Sequence, residues 1–79
     1  MDKMSLGVNY STEYFEDFKD GFGAINLFSS ILGEEKKLIA RITFWDAMGD
    51  VTIEVFSDNI PGAILEEAIT ECKERNTGK

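Results

Sequence analysis

Residues 11–33 read STEYFEDFKDGFGAINLFSSILG, and the rest of the chain is arranged around how that stretch folds. Ser11 or Thr12 offers an N-cap, and Glu13, Glu16 and Asp17 follow in what would be the first turns, where acids favour the helix dipole. Phe15, Phe18, Phe22, Ile25, Phe28 and Leu32 recur at spacings of three or four, the stripe of an amphipathic helix. Gly33 stands where a C-terminal glycine would end it. Gly21 and Gly23 fall inside it, at roughly 1 kcal/mol each relative to alanine. The pattern predicts one kinked helix from 12 to 32, or two shorter ones divided near residues 20–23.

The flanks carry strand patterns. Upstream, Met4, Leu6, Val8 and Tyr10 alternate with Ser5, Gly7 and Asn9, a period of two that predicts a strand over 4–10. Downstream, 37–45 and 51–56 read as a hairpin around Asp46-Ala47-Met48-Gly49. Pairing Trp45 with Asp50 sets Phe44 opposite Val51, Ile42 opposite Ile53 and Ala40 opposite Val55, and the same register sets Arg41 opposite Glu54 and Thr43 opposite Thr52. A slip by one would oppose core residues to polar ones. The final element is a helix from about 60 to 75, capped by Asp58 or Asn59, with Pro61 in its first turn and Ile64, Leu65, Ala68, Ile69 and Cys72 as its buried stripe. Residues 76–79 are expected to be a frayed tail. The expected fold is one α+β domain over 1–79 in the order β-α-β-β-α, a small three-stranded sheet with two helices packed on one face.

Composition bounds the chemistry. The chain has 79 residues, no histidine, one cysteine, and 15 acidic against 8 basic side chains, a net charge of −7. Proton shuttles and transition-metal sites lean on histidine or clustered cysteine, so the reading is of a protein that binds rather than converts, with no cofactor and no metal. The negative charge argues against direct contact with nucleic-acid phosphates or anionic membrane surfaces, and favours a basic protein partner. The first residues lack the basic start and apolar run of a signal peptide, so the cytoplasm is the expected compartment. Cys72 cannot form an internal disulfide and reads as a small buried hydrophobe.

Three surfaces are candidates for binding. On the expected first helix, Glu13, Glu16, Asp17 and Asp20 fall three or four apart and would share a face. Carboxylates so spaced imitate a row of phosphates and would occupy a basic, nucleic-acid-binding groove on another protein; the bland alternative is a solvated helix face. A second acidic face, Glu66, Glu67, Glu71 and Glu74, is interleaved with Lys73 and Arg75 and reads as solvated surface. The third is the outer face of the hairpin: Ile39, Trp45 and Phe56 with Arg41, Thr43, Thr52 and Glu54. It would be either a hot spot with a sheet edge open to strand addition or dimerisation, or a face covered by a long loop or by the N-terminal segment. Gly21-Phe22-Gly23 is a fragment of a nucleotide motif without its third glycine, and Asp46 and Asp50 flank a turn without calcium-loop spacing.

Residues 38–69, a strand-turn-strand followed by Pro61-Gly62-Ala63 and Leu65-Glu66-Glu67-Ala68-Ile69, resemble in outline the HicB antitoxin family, which has a hairpin, a proline-glycine step and a helix with an acidic start. The family's further short strand and Thr/Glu-rich helix entry are missing, and the likeness spans under half the chain. In size, acidity and lack of catalytic groups the chain is similar to small phage-encoded inhibitors of host defence, anti-CRISPR proteins among them, without a shared motif. The expected function is a non-enzymatic inhibitor or adaptor engaging a basic protein surface through Glu13, Glu16, Asp17, Asp20, Trp45 and Phe56. The alternative is a homodimeric, antitoxin-like interaction module.

Overall fold

Five strands and one helix, rather than three strands and two helices, make up the described residues. The computed structural model describes residues 1–17 and 21–77. The strands β1 (Asp2–Ser5), β2 (Val8–Asp17), β3 (Phe22–Ile31), β4 (Lys37–Trp45) and β5 (Asp50–Val55) form an antiparallel meander in the order β1-β2-β3-β4-β5, and α1 (Gly62–Thr77) follows.

The helix expected over 12–32 is therefore a hairpin, β2 paired with β3 from Val8↔Ile31 to Asp17↔Phe22. The three-to-four spacing misleads because both faces of these strands carry apolar residues. Phe15, Phe22 and Phe28 lie on one face, and Tyr10, Tyr14, Ile25, Leu27 and Ile31 lie on the other; read as a single list they mimic a helical stripe. Aromatic and β-branched residues suit a pleated surface, and β3, paired on both sides, satisfies its backbone on β2 and β4. The strand expected over 4–10 is likewise two. It breaks at a two-residue turn, Leu6 (φ 50°) and Gly7 (φ 79°), because the right-handed twist of a hairpin favours positive φ at both turn positions. Phe18 and Asp20 lie outside the described residues.

The 37–56 hairpin has the register expected, from Ala40↔Val55 to Trp45↔Asp50, with Arg41 opposite Glu54 and Thr43 opposite Thr52. One position departs from the expected pattern. A bulge between Leu27 and Phe28 sets Leu27 opposite Ala40 but Phe28 opposite Leu38, so Ile39 is the extra residue. A bulge re-aims side chains, and Ile39 joins the core while Leu38 is only half-buried. Ile39 is thus not part of an outer binding face.

Helix α1 covers one face of the sheet. Ile64, Ala68 and Cys72, four apart, pack on Tyr10, Ile25, Leu27, Ile39, Ala40, Ile42 and Phe44. Each large side chain so buried contributes about 1.5–3 kcal/mol. The Pro61 carbonyl accepts from the amides of Ile64 and Leu65, both at 3.1 Å, so the proline stands at the helix boundary where its missing N–H costs nothing. The helix continues to Thr77, beyond the end expected at 75. Glu71 ties it to the sheet: its carboxylate accepts from Thr12 Oγ1 at 2.8 Å and from the Met1 nitrogen at 2.8 Å, and lies 3.8 Å from Arg75. Among the described residues no helix is long and apolar enough to cross a membrane.

Candidate functional site

Because α1 packs on one face only, the other face of the sheet is open, and the strand registers place its side chains in cross-strand rows. One row is Asp17, Phe22, Trp45 and Asp50, running from β2 to β5. The next is Phe15, Ala24, Thr43 and Thr52, and the third is Glu13, Asn26, Arg41 and Glu54. With strands about 4.8 Å apart, carboxylates on β2 stand about 14 Å from those on β5. Between these two acid-bearing columns the floor is aromatic at one end, Phe22 and Trp45, and polar at the other, Asn26 and Arg41.

The aromatic rings form a connected cluster. Phe15 and Phe22 meet edge to face with centroids 6.1 Å apart, and Phe22 and Trp45 lie 5.3 Å apart, tilted. Such pairs are worth about 0.5–1.5 kcal/mol beyond the area they bury. Ala24 and Thr43 are buried although no helix covers them, since small residues among tall rings are shielded by their neighbours. Phe15 keeps 38% of its surface exposed. The indole Nε1 donates to Thr52 Oγ1 at 2.9 Å, which fixes the ring across the β4–β5 pair.

The face already handles cations. The Arg41 guanidinium lies 5.9 Å from the Phe15 centroid and its Nε donates to Asn26 Oδ1 at 2.8 Å. Lys36 sits 4.5 Å over the Phe28 ring and 2.7 Å from Glu13 Oε2. Ring faces are electron-rich and attract such groups, and an exposed ion pair contributes so little that it exchanges readily for another.

The six residues expected to form the site are not brought together. Glu13, Asp17 and Trp45 share the open face. Glu16 lies on the helix-covered face, where the Tyr14 hydroxyl donates to it at 2.7 Å. The reason is the period: residues three apart share a helical face but take opposite faces of a strand. Asp20 lies outside the described residues. Phe56, just past β5, is 48% exposed, but its amide bonds the Ile39 carbonyl, about 20 Å along β4 from Trp45. Reading by helical spacing missed Phe15 and Phe22, which it assigned to a core stripe, and Asp50, which it assigned to a turn. The Asp20-Gly21 dipeptide between two aromatic-rich runs is the signal that would have found them, as such a pair marks a hairpin.

Among the described residues no three His, Cys, Asp or Glu side chains gather into a metal site. On the helix side, a cleft of about 170 Å³ opens between Tyr10, Ile39 and the 57–60 segment, smaller than the usual small-molecule pocket. No protein-family model matches this chain, and no curated protein or solved structure matches it either.

Proposed function

We propose that the chain is a non-enzymatic inhibitor or adaptor whose open sheet face binds a basic protein surface. The observation that carries this reading is the row Asp17, Phe22, Trp45, Asp50: two adjoining rings with an acid at each end. The Asp50 carboxylate stands at the sheet edge, where it accepts from the Val51 amide and lies 3.8 Å from Lys73 of α1, an exposed pair that a partner's cation would replace. A partner with an apolar ridge flanked by lysines or arginines complements it, the ridge on the rings and the cations on the carboxylates. Charge complementarity speeds encounter and selects the partner, while the rings anchor it. The partner class includes nucleic-acid-binding proteins, whose phosphate-binding surfaces are basic.

The test is affinity capture from lysate with three baits: the unmodified chain, Asp17→Lys/Asp50→Lys, and a control reversed on the helix, Glu66→Lys/Glu67→Lys. The expected result is a basic protein held at low salt by the first and third baits, absent from the second, and released as salt screens the charges. Binding of the purified partner should change the emission of Trp45, the sole tryptophan. Equal retention by Asp17→Lys/Asp50→Lys removes this face from consideration.

A further inference from the structure

The edge strand β5 has surfaces that its own fold leaves unused. Ile53 is 41% exposed and Val55 is 56% exposed, since α1 leaves them uncovered on the helix side of the sheet. The Phe56 amide donates to the Ile39 carbonyl at 2.8 Å, in line with Ala40↔Val55. Hydrogen-bonded and non-bonded pairs alternate along an antiparallel ladder. Glu54, Thr52 and Asp50 therefore turn their backbone groups to β4, and Val55, Ile53 and Val51 turn theirs outward. The outer edge is a row of backbone donors and acceptors whose bearers are all β-branched, with no proline, lysine or bulge among them. Those are the devices that normally block edge pairing. The Val51 amide donates to the Asp50 carboxylate at 2.8 Å, a bond on the exposed edge that strand pairing would exchange. The opposite edge, β1, is only four residues long and carries Lys3.

We infer that β5 pairs antiparallel with β5 of a second copy about a two-fold axis through Ile53. A symmetric antiparallel pair sets residues of the same face opposite one another, so the axis passes through a residue. Placed at Thr52, it sets Asp50 against Glu54 of the second copy; placed at Glu54, it sets the two Glu54 carboxylates against each other. Both registers oppose like charges. Placed at Ile53, it sets Ile53 on Ile53, Val51 on Val55 and Thr52 on Glu54, which leaves no like charges directly opposed. It also makes Ile53 and Val51–Val55 the hydrogen-bonded pairs, as their outward backbone groups require. The occupant is a second copy because this strand complements itself.

The two sheets become one of ten strands, with both helices on one side and both acid-rimmed aromatic faces on the other. An edge about 20 Å long places the interface at the small end of the specific range, below about 1,200 Å², so the dimer is weak and concentration-dependent. Each copy carries a net charge of −7, so salt strengthens it. Salt has the opposite effect on binding of a basic partner, which keeps the two proposals separable.

The experiment is sedimentation velocity of the full chain over a wide concentration series at low and high salt, with Ile53→Pro and Val55→Lys. The Ile53 amide makes no bond to β4, so proline there deletes no bond of the monomer, yet it removes both reciprocal bonds at the axis. The expected result is a dimer that grows with concentration and salt, weakened at least about tenfold by either variant, each tenfold being about 1.4 kcal/mol. Val55→Lys, at a position already exposed, carries the test where the proline variant fails to fold. A monomer at every concentration overturns the inference and leaves the edge to an extended segment of another protein. A dimer indifferent to both variants overturns it as well, since the interface then lies elsewhere.

Discussion

At the scale of single residues, Gly23 is a position with no room for a side chain. A Cβ there would run into Asn76 Oδ1 and lie 2.7 Å from the Tyr14 hydroxyl. Asn76 is held by its own bond to the Cys72 carbonyl, 2.7 Å from Nδ2, so it cannot swing away without cost. Gly23→Ala should lower stability by about 1–3 kcal/mol, read from the urea midpoint. Adding Asn76→Ala should recover part of the loss, since contacting residues do not behave additively. Cys72, beside them, is buried with its Sγ 3.5 Å from the Ile42 carbonyl. Burial pushes its thiol above the ordinary 9.0; backbone hydrogen bonding at Phe44 offsets part of this, and the Glu71 carboxylate adds to it. The unfolded thiol thus ionises first. Below 9.0 both states keep the proton and the thiol gives no pH slope; as pH rises past 9.0 the unfolded state loses it and stability falls. Urea midpoints from neutral pH to about pH 10 should fall less steeply in Cys72→Ala than in the unmodified chain. Equal slopes would place the thiol in contact with solvent.

At the scale of elements, what decides legibility is whether one face of a segment is polar. The 37–56 hairpin was readable to the residue pair because charge pairing and apolar pairing agree on its register, Arg41 with Glu54 and Ile42 with Ile53. The last helix was readable because Ile64, Ala68 and Cys72 line one side and glutamates the other. β2 and β3 were not readable, because Phe15, Phe22 and Phe28 put apolar bulk on the solvent face too, and a two-sided strand loses its period of two. The bulge at Leu27/Phe28 was invisible for a different reason. Leu38 and Ile39 are equally apolar, so local sequence does not say which turns inward. Mutation separates them. Ile39→Ala should cost about 2–5 kcal/mol as a core truncation, and Leu38→Ala, at a half-buried position, should cost markedly less, both measured by equilibrium unfolding. The reverse order would mean that the bulge is absent in solution.

At the scale of the whole molecule, charge governs both stability and recognition. The acidic sign of the surface was evident from composition, with 15 acids against 8 bases. Where the acids gather was not, because it depends on which residues share a sheet face. The body measures 39 × 22 × 21 Å, so at low salt most of its charges lie within one or two screening lengths of another. The pairs Lys3–Glu67, Lys36–Glu13 and Lys73–Asp50 all join exposed side chains, which makes each worth little. Seven carboxylates remain in excess even if every base is matched (15 − 8), so net repulsion outweighs pairing and screening should favour the folded state. Raising salt from about 20 mM to about 500 mM, where the screening length shrinks from tens of ångströms to a few, should raise the melting temperature. A gain of about 1 kcal/mol would appear as about 4–8 °C in a domain of this size. Glu66→Lys/Glu74→Lys, on the exposed side of α1, should raise the low-salt melting temperature and flatten the salt response. A melting temperature that instead falls with salt would show that ion pairs dominate. Excess negative charge would then be neither a cost of folding nor a reserve for attracting a basic partner.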